Sequence, residues 1–575
     1  MAHSSLRFLF ALLAMTAAWS SWAQSIFVGG HKALCDSVNN RWLCSVPQQC
    51  FGTDWETTVT LDSLWTAFAI NGQPLNSGDA YTFMEVEGGK EYRLEALVGD
   101  SAVVGSITFT WLPLLELNGE FGNEYTTGTV SLYTPDSVTD KSDMLAKLKW
   151  RGGVTNGDGK HKRNYHIKFI EENGDKKNRR LLGMRKDNHW KLDGGQIDFL
   201  RIRNRVCTDL WLDMARDPWY KSLDSTVVNG SRGRVTEVFL NGKYHGIYSL
   251  IEPVDRKQLA LVKHDTVANV FHGQQWDAKD RCPTYVFPTY NNNSATWNGN
   301  EISYPELEDV SPTDWSTLYN VFEFARRMDA ADDWQTMTDS LGYYFDLPVM
   351  QDYYIFIVSM QAIDNEIKNI YYSCYDKQID PPLLTLTPWD LDISVGAKSI
   401  SGLDVKPERP VNWIMHLALG DMFNHCPVLR KQIKRRYWEL RETWLNTDSL
   451  VNRFQNAVDE LENCGAAARE EERWSKDSDL GGKVLDISKE MEYVATWLTR
   501  RMAYLDDNVF NIPIILGDAN DDDKVNIADV TLLINYLVYP SQVTINEKNS
   551  DINGDSEVNI ADIIQMISML LNGYF

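Results

Sequence analysis

Residues 363–396 read IDNEIKNIYYSCYDKQIDPPLLTLTPWDLDISVG. Two apolar runs, IYYSCY and LLTLT, read as short strands, and the polar, proline-containing segment between them reads as a turn. Asp364 and Asn369 precede the first strand; Asp390 and Asp392 follow the second. A hairpin brings its two outer ends side by side, so these four side chains are expected to meet. Carboxylates set among Trp, Leu, Ile and Val need a partner, because a buried charge is costly unless it is matched. One carboxylate that accepts or orients a hydroxyl proton, with an amide and a second carboxylate holding a divalent cation, is the equipment of phosphoryl transfer. Taken singly the elements are weak: HRD, DFG and G-x-G-x-x-G are all absent.

The rest of the chain sets the frame. Its 575 residues imply several domains, and 43% hydrophobic residues can furnish large cores. A formal charge of −24 argues against non-specific nucleic-acid binding, and the basic runs KHKR (160–163) and KKNRR (176–180) read as solvated faces. Residues 1–23 read as a signal peptide: Arg7, then the apolar run Phe8 to Ala18, then Ser21-Trp22-Ala23 before cleavage. No other stretch reaches about 18 apolar residues, so a secreted chain without a membrane span is expected. Eight cysteines suit an oxidising compartment, and in CDSVNNRWLC a turn at Asn39-Asn40 is expected to bring Cys35 near Cys44. C-x-x-C is absent, which gives no support to a zinc or thioredoxin-type site.

The organisation is that of a multidomain α+β protein. Residues 24–112 show short alternating strands with Asn-Gly and Gly-Gly turns and read as a β-sandwich-like accessory module. Residues 113–260 mix strands with one helix. NYHIKF places Tyr165, Ile167 and Phe169 on one face, with Asn164, His166 and Lys168 on the other. FLRIRNRVCTDLWLDMAR has helical spacing, and RVTEVFLNGKYHGIYSLIE is a hairpin turning at Asn241-Gly242. Residues 310–510 are mainly helical, as in VLRKQIKRRYWELRETWL and KEMEYVATWLTRRMAYLDD.

The tail, 514–575, holds ten acids and two lysines, 2 − 10 = −8, and contains two internal repeats. The first carries Asp518, Asn520, Asp522, Asn526 and Asp529; the second carries Asp551, Asn553, Asp555, Asn559 and Asp562. These are positions 1, 3, 5, 9 and 12 of a loop that precedes an apolar helix, and the carbonyls of Lys524 and Glu557 fall at position 7. Hard oxygen ligands at that spacing suit Ca²⁺, one ion per loop. Position 6, usually Gly, is Asp523 and Ser556.

Two resemblances follow. D-x-N-x-D-x-x-V-N-x-x-D, twice, each time before a helix, resembles a type I dockerin over about residues 514–575. That implies paired EF-hand-like calcium loops and a cohesin partner on a scaffolding or cell-surface protein, met through a surface that includes Ile527-Ala528 and Ile560-Ala561. Residues 113–510 resemble the spore coat protein H (CotH) kinase-like family. The motifs are RGG at 151–153 with KHKRNYHIKF, LLGM at 181–184, RNRVCTDLW at 203–211, EVFLNGKYHGIYSLIEPVDR at 237–256, IDNEIKN and PWDLDISVG. This resemblance implies an atypical, two-lobed protein-kinase-like domain acting with ATP and Mg²⁺ or Mn²⁺ on a protein phosphoacceptor. Asp364 is then the catalytic carboxylate, Asn369 and Asp390 the metal ligands, Asp392 a supporting ligand, and Glu366 an auxiliary acid. Lys168 or Lys162 is the phosphate-binding lysine, and the chain near Ile251 and Glu252 is a hinge for adenine. No glutamate of the adjoining helix stands out, and neither Asp209 nor Asp213 is favoured in that role.

Three functions compete: an exported kinase, a non-catalytic component of a dockerin-linked, cellulosome-like assembly, and a glycoside hydrolase. The hydrolase has only paired carboxylates in its favour. Polysaccharide is an expected further partner of the β module.

Overall fold

The structure is a computed structural model. It describes residues 25–573 apart from 264–266, 275–288, 294–296, 298, 306–312, 367, 398–404, 412–417, 476, 478–482, 514 and 523. The expected leader, 1–23, and Asp523 lie outside the described residues. Two compact units divide between Leu505 and Asp506.

The first unit opens with nine strands: β1 (Ile26–Val28), β2 (His31–Asp36), β3 (Arg41–Ser45), β4 (Trp55–Leu61), β5 (Trp65–Ile70), β6 (Gln73–Pro74), β7 (Asp79–Phe83), β8 (Tyr92–Val98) and β9 (Ser101–Thr110). They form one sheet in the order β6-β5-β8-β9-β3-β2-β1-β4-β7. Phe83, on an edge strand, packs edge-on against Tyr92 and Phe109 from the other half of that order. The sheet therefore doubles over a single core that includes Trp42, Phe68 and Leu94. The expected sandwich is one continuous sheet folded on itself. The β2–β3 hairpin forms, but its register sets Cys44 opposite Ala33 and Cys35 opposite Trp42. The two cysteines are not a cross-strand pair, and the Cys44 thiol donates to the His31 carbonyl at 3.4 Å.

Residues 114–251 close into a seven-stranded barrel. Its strands are β10 (Leu114–Asn118), β11 (Thr126–Tyr133), β12 (Lys141–Arg151), β13 (Asn164–Phe169), β14 (His189–Asp193), β15 (Gly233–Leu240) and β16 (Lys243–Ile251). The order is β10-β11-β12-β13-β14-β16-β15, and β15 closes the barrel by lying parallel to β10. Period-two alternation fills the interior: Leu148, Tyr165, Ile167, Phe169, Trp190 and Leu192 are buried there, while His166 and Lys168 face outward. Asn241 and Gly242 both take positive φ, 48° and 67°, in the two-residue turn from β15 to β16. Helix α1 (Arg203–Met214) leaves the barrel after β14.

The folded-over sheet and the barrel share a small core in which Leu34 and Leu43 meet Leu114, Tyr133, Phe239 and Tyr244. The module is thus built onto the barrel.

The remaining part of the first unit combines a four-stranded sheet with helices. The sheet contains β17 (Asn269–Gly273), β18 (Asn300–Tyr304), β19 (Ile370–Cys374) and β20 (Leu384–Pro388), in the order β18-β17-β19-β20. The helices that matter below are α2 (Ser316–Ala331), α3 (Leu347–Met360), α4 (Pro427–Arg441), α5 (Thr447–Asn463), α6 (Ala466–Trp474) and α7 (Ile487–Asn508). Helix α3 is apolar nearly all round and is buried along almost its whole length, as a central helix must be. Trp211 of α1 packs against Tyr353 and Phe356 of α3. From α7 the buried guanidinium of Arg501 donates to the Val358 carbonyl at 2.8 Å, satisfying a group at the end of α3.

The second unit folds around α8 (Ile527–Val538) and α9 (Ile560–Asn572). Ala519, Val530, Leu533, Ile552, Ile563 and Met566 form its core. No helix among the described residues is long and apolar enough to cross a membrane.

Candidate active site

Helix α3 ends at Gln361, which takes φ 48°, and the chain drops into a 3-10 turn over Ile363–Glu366. Asp364 is buried in this turn and accepts from Lys368 Nζ at 3.0 Å. The next residue ties two loops together: Asn365 Nδ2 donates to the carbonyls of Asn369 (3.0 Å) and Trp389 (2.7 Å). Its Oδ1 is buried and meets no donor among the described residues. β19 and β20 pair from Ile370↔Pro388 to Cys374↔Leu384, and Trp389 N–H donates to Asn369 O at 2.9 Å.

The hairpin therefore sets Asn369 and Asp390 side by side at its open end. Both take left-handed backbone, φ 58° and 57°. That conformation costs most side chains about 1–2 kcal/mol and is least costly for Asn and Asp, so residue type and backbone shape agree at both points.

Two further groups come from the barrel side. Asn204, at the start of α1, donates Nδ2 to Asp193 at 2.6 Å and to Asp390 at 3.4 Å, while its Oδ1 accepts from Leu391 N–H at 3.0 Å. One amide thus orients two carboxylates from distant parts of the chain. Arg203 beside it is fully buried between Asp198 and Glu490, which locks the start of α1 against α7.

The result is a group of like charges in a low-dielectric setting. Burial, and then the charge of Asp193, push the Asp390 carboxyl up to about 6; Asp364 adds to this and Arg151 opposes it. Burial, and then Asp390 and Asp193, hold Asp392 well above the usual carboxylate range. Facing them, Lys191 of β14 places Nζ 4.1 Å from the Trp389 ring, and the Arg151 guanidinium lies 5.6 Å from it. Burial, and then Arg151, lower Lys191 to about 7, against the pull of Asp255, Asp390 and Glu301.

Among the described residues no three His, Cys, Asp or Glu side chains stand close enough to chelate an ion as they are. The donor set still fits a hard divalent cation. It offers carboxylate and amide oxygens, an orphaned amide oxygen on Asn365, and mutual repulsion that a cation relieves.

In the second unit the two loops carry matching hydrogen bonds. Asp522 N–H is shared by Asp518 Oδ1 and Asn520 Oδ1, and Asp555 N–H by Asp551 Oδ1 and Asn553 Oδ1. Asp522 and Asp555 accept in turn from the N–H of Lys524 and Glu557. Asp529 spends one oxygen on Asn520 N–H and the other on Asn526 N–H; Asp562 does the same with Asn553 and Asn559. Asn526 and Asn559 cap the helices that follow, each in a reciprocal capping box. Ser556 takes φ 68°, so position 6 makes its sharp turn without glycine. The last carboxylate thus folds back over the start of each loop, and the oxygen set fits Ca²⁺.

Comparison with protein-family models matches residues 148–505 to "CotH kinase protein" and residues 516–571 to "Dockerin type I domain". The chain belongs to the CotH kinase family. It carries a type I dockerin at its C-terminal end. No curated protein matches the sequence.

In this chain the two lysines favoured from the sequence do not join the carboxylate group. Lys162 is buried with Nζ 2.8 Å from Glu470 and 3.0 Å from the Ile247 carbonyl, under the rings of Tyr248 and Trp474. Arg201 shares the same Glu470. Lys162 thereby fastens the barrel to α6. Lys168 faces outward with Nζ 4.7 Å from the Tyr125 ring. The lysine against Trp389, the neighbour of Asp390, is Lys191, in HWKLD, the strand that leads into α1.

The expected hinge is also altered. Glu252 N–H donates to the Arg232 carbonyl, its own carbonyl accepts from Ser231, and its carboxylate holds Arg232. Its backbone donor is already committed within the chain. Asp209 and Asp213 are engaged by Arg205 and Arg453, and neither partners Lys191. The side chain of Glu366 lies outside the described residues.

Proposed function

We propose that this chain is a secreted phosphotransferase of protein-kinase-like, two-lobed design, docked by its dockerin onto a cohesin-bearing extracellular complex. One juxtaposition carries the reading: the hairpin brings Asp364, Asn369, Asp390 and Asp392 together, Asn204 orients Asp390, and Lys191 and Arg151 lie against the neighbouring Trp389. Asp390, Asp392 and Asn369 would hold Mg²⁺ or Mn²⁺, which supplies neutralisation of phosphate charge when bound. Lys191 and Arg151 attract the phosphates from the opposite wall. Asp364 takes the proton of the acceptor hydroxyl. The hydroxyl oxygen bonds to the γ-phosphorus of ATP as the β–γ bridging bond breaks and ADP departs.

Docking is supported by the surface of the second unit. Ile527 and Ile560, each about 70% exposed, occupy the same place in the two repeats, as do Ile534 and Ile567, and Val538 and Leu571. Exposed apolar side chains in such numbers mark a protein contact. Two Ca²⁺ ions would hold the loops that position them.

A second reading, a non-catalytic component of the same assembly, is favoured by Trp389, which is only 6% exposed and fills the space beside Lys191 and Arg151. Incubation of the full chain with γ-labelled ATP and Mn²⁺ or Mg²⁺ separates the two. Transfer to the protein or to a generic acceptor, reduced about 100-fold or more in Asp390→Ala, supports the phosphotransferase; even outer partners of a metal site are worth about 10–100-fold. No transfer from folded protein supports the non-catalytic component.

A further inference from the structure

The outer face of the barrel carries lysines beyond the one that lies beside the carboxylate group. Paired residues of an antiparallel ladder share a face, so the registers Lys149↔His166↔Lys191 and Lys147↔Lys168↔His189 define two parallel rows across β12, β13 and β14. Four of the six are lysines; burial, and then the neighbouring cations, lower His166 to about 2 and His189 to about 3, so both rings are neutral. The rows lie ~6.8 Å apart, two residues of strand, and each is about 9–10 Å wide. Tyr125 bridges the two rows, with Lys149 Nζ 4.6 Å and Lys168 Nζ 4.7 Å from its one ring. His166 and His189 hydrogen-bond ring to ring at 3.0 Å.

The flanking positions are neutral where the ladders continue: Thr127 lies opposite Lys147, and Ile251 opposite Lys191. The nearby acids are Asp187 beside His189, which Arg185 and Lys257 already hold, Asp193 at the end of β14, and Asp255 and Glu301 near Lys191. In a chain of net charge −24 this is a concentrated exception.

Only the Lys191 corner, with Arg151, lies against Trp389 beside the carboxylate group. The β12 column, Lys147 and Lys149, lies two strands away from that corner. We propose that this outer face binds the phosphoacceptor, an acidic protein segment lying extended along β12 and β13 with carboxylates on alternate residues. Alternate side chains of an extended peptide repeat at the spacing of the rows. This rests on the phosphotransferase reading for its purpose, but binding is measurable without transfer.

The test uses the full chain, without nucleotide, and fluorescence anisotropy of three labelled 13-residue peptides. Each has a central Ser and Asp, Ala or Lys at alternate positions. The Asp peptide is expected to bind at least ten-fold tighter than the Ala peptide, with affinity falling steeply as salt rises. The double variant Lys147→Met/Lys149→Met is expected to lose that preference while keeping the unfolding temperature and its rise with Mn²⁺ and ATP. If the variant does not fold, the salt series and the three-peptide ranking on the unaltered chain decide. Equal binding of the three peptides overturns the proposal. So does a variant that loses the nucleotide-dependent rise but keeps peptide binding, or stronger competition by polygalacturonate than by the Asp peptide. Asp peptide binding that persists in a chain with no transfer activity would refute the phosphotransferase reading and leave this surface standing.

Discussion

At the scale of single residues, two lysines with opposite roles make the clearest contrast. Lys162 is one of two cations on the buried Glu470, so Lys162→Met leaves that carboxylate half matched. Breaking a buried pair costs about 3–5 kcal/mol, and the retained Arg201 places the expected loss at the lower end. Denaturant unfolding should show it, with nucleotide binding retained. Lys191→Met should behave the other way. Its ammonium is held near pKa 7 by burial and by Arg151, so removing it relieves the fold. Stability should hold or rise while transfer is lost. The carboxylates were legible in the sequence because they bracket a local hairpin with positions set by its two strands. Lys191 was not, because nothing local separates HWKLD from NYHIKF; only the fold decides which outward lysine lies against Trp389 beside Asp390. Asn204 and Asp193 were hidden for the same reason, since the Asn204 contact to Asp390 spans 186 residues.

At the scale of elements, period and turn chemistry carried far. The β15–β16 hairpin, the alternation of β13, helix α1 and the helices at 427–441 and 487–508 stand where their patterns predict. The Gly-Gly turn at 88–89 was legible as a turn but not as a contact. A Cβ on Gly88 would lie 2.2 Å from the Asn463 carbonyl oxygen, and one on Gly465 would lie 2.3 Å from Gly89 N. Gly465 also takes φ 75° as the chain passes from α5 to α6. Both demands exclude a side chain, so Gly465→Ala should cost about 2–4 kcal/mol, the left-handed penalty plus overpacking. Chemical denaturation of the variant measures it. A loss below about 1 kcal/mol would mean that the sheet and α5 do not meet so closely. The Cys35 and Cys44 expectation failed at this scale: the turn was placed correctly, but register decides which residues oppose each other.

At the scale of the whole molecule, the first unit concentrates Asp193, Asp364, Asp390 and Asp392 at one point, and the proposed divalent cation would relieve their repulsion. A carboxyl raised in the fold, from an ordinary value near 4 to about 6 for Asp390, favours the folded state below about pH 4. That contribution fades as pH rises through 6. Without a cation the folded first unit should therefore lose stability from this group between about pH 4 and 6, and a bound cation should restore it above that range. The measurement that tests this most directly is thermal unfolding of the full chain, with Ca²⁺ saturating throughout, with and without Mn²⁺ and ATP, at pH 7.5 and pH 5. The account predicts a clear rise in unfolding temperature at pH 7.5, since ligand at 100 times its Kd adds about 2.7 kcal/mol. The rise should be much smaller at pH 5, where Asp390 holds a proton, and absent in Asp390→Ala. No rise at pH 7.5, or an equal rise in Asp390→Ala, would contradict a cation–nucleotide site at this hairpin.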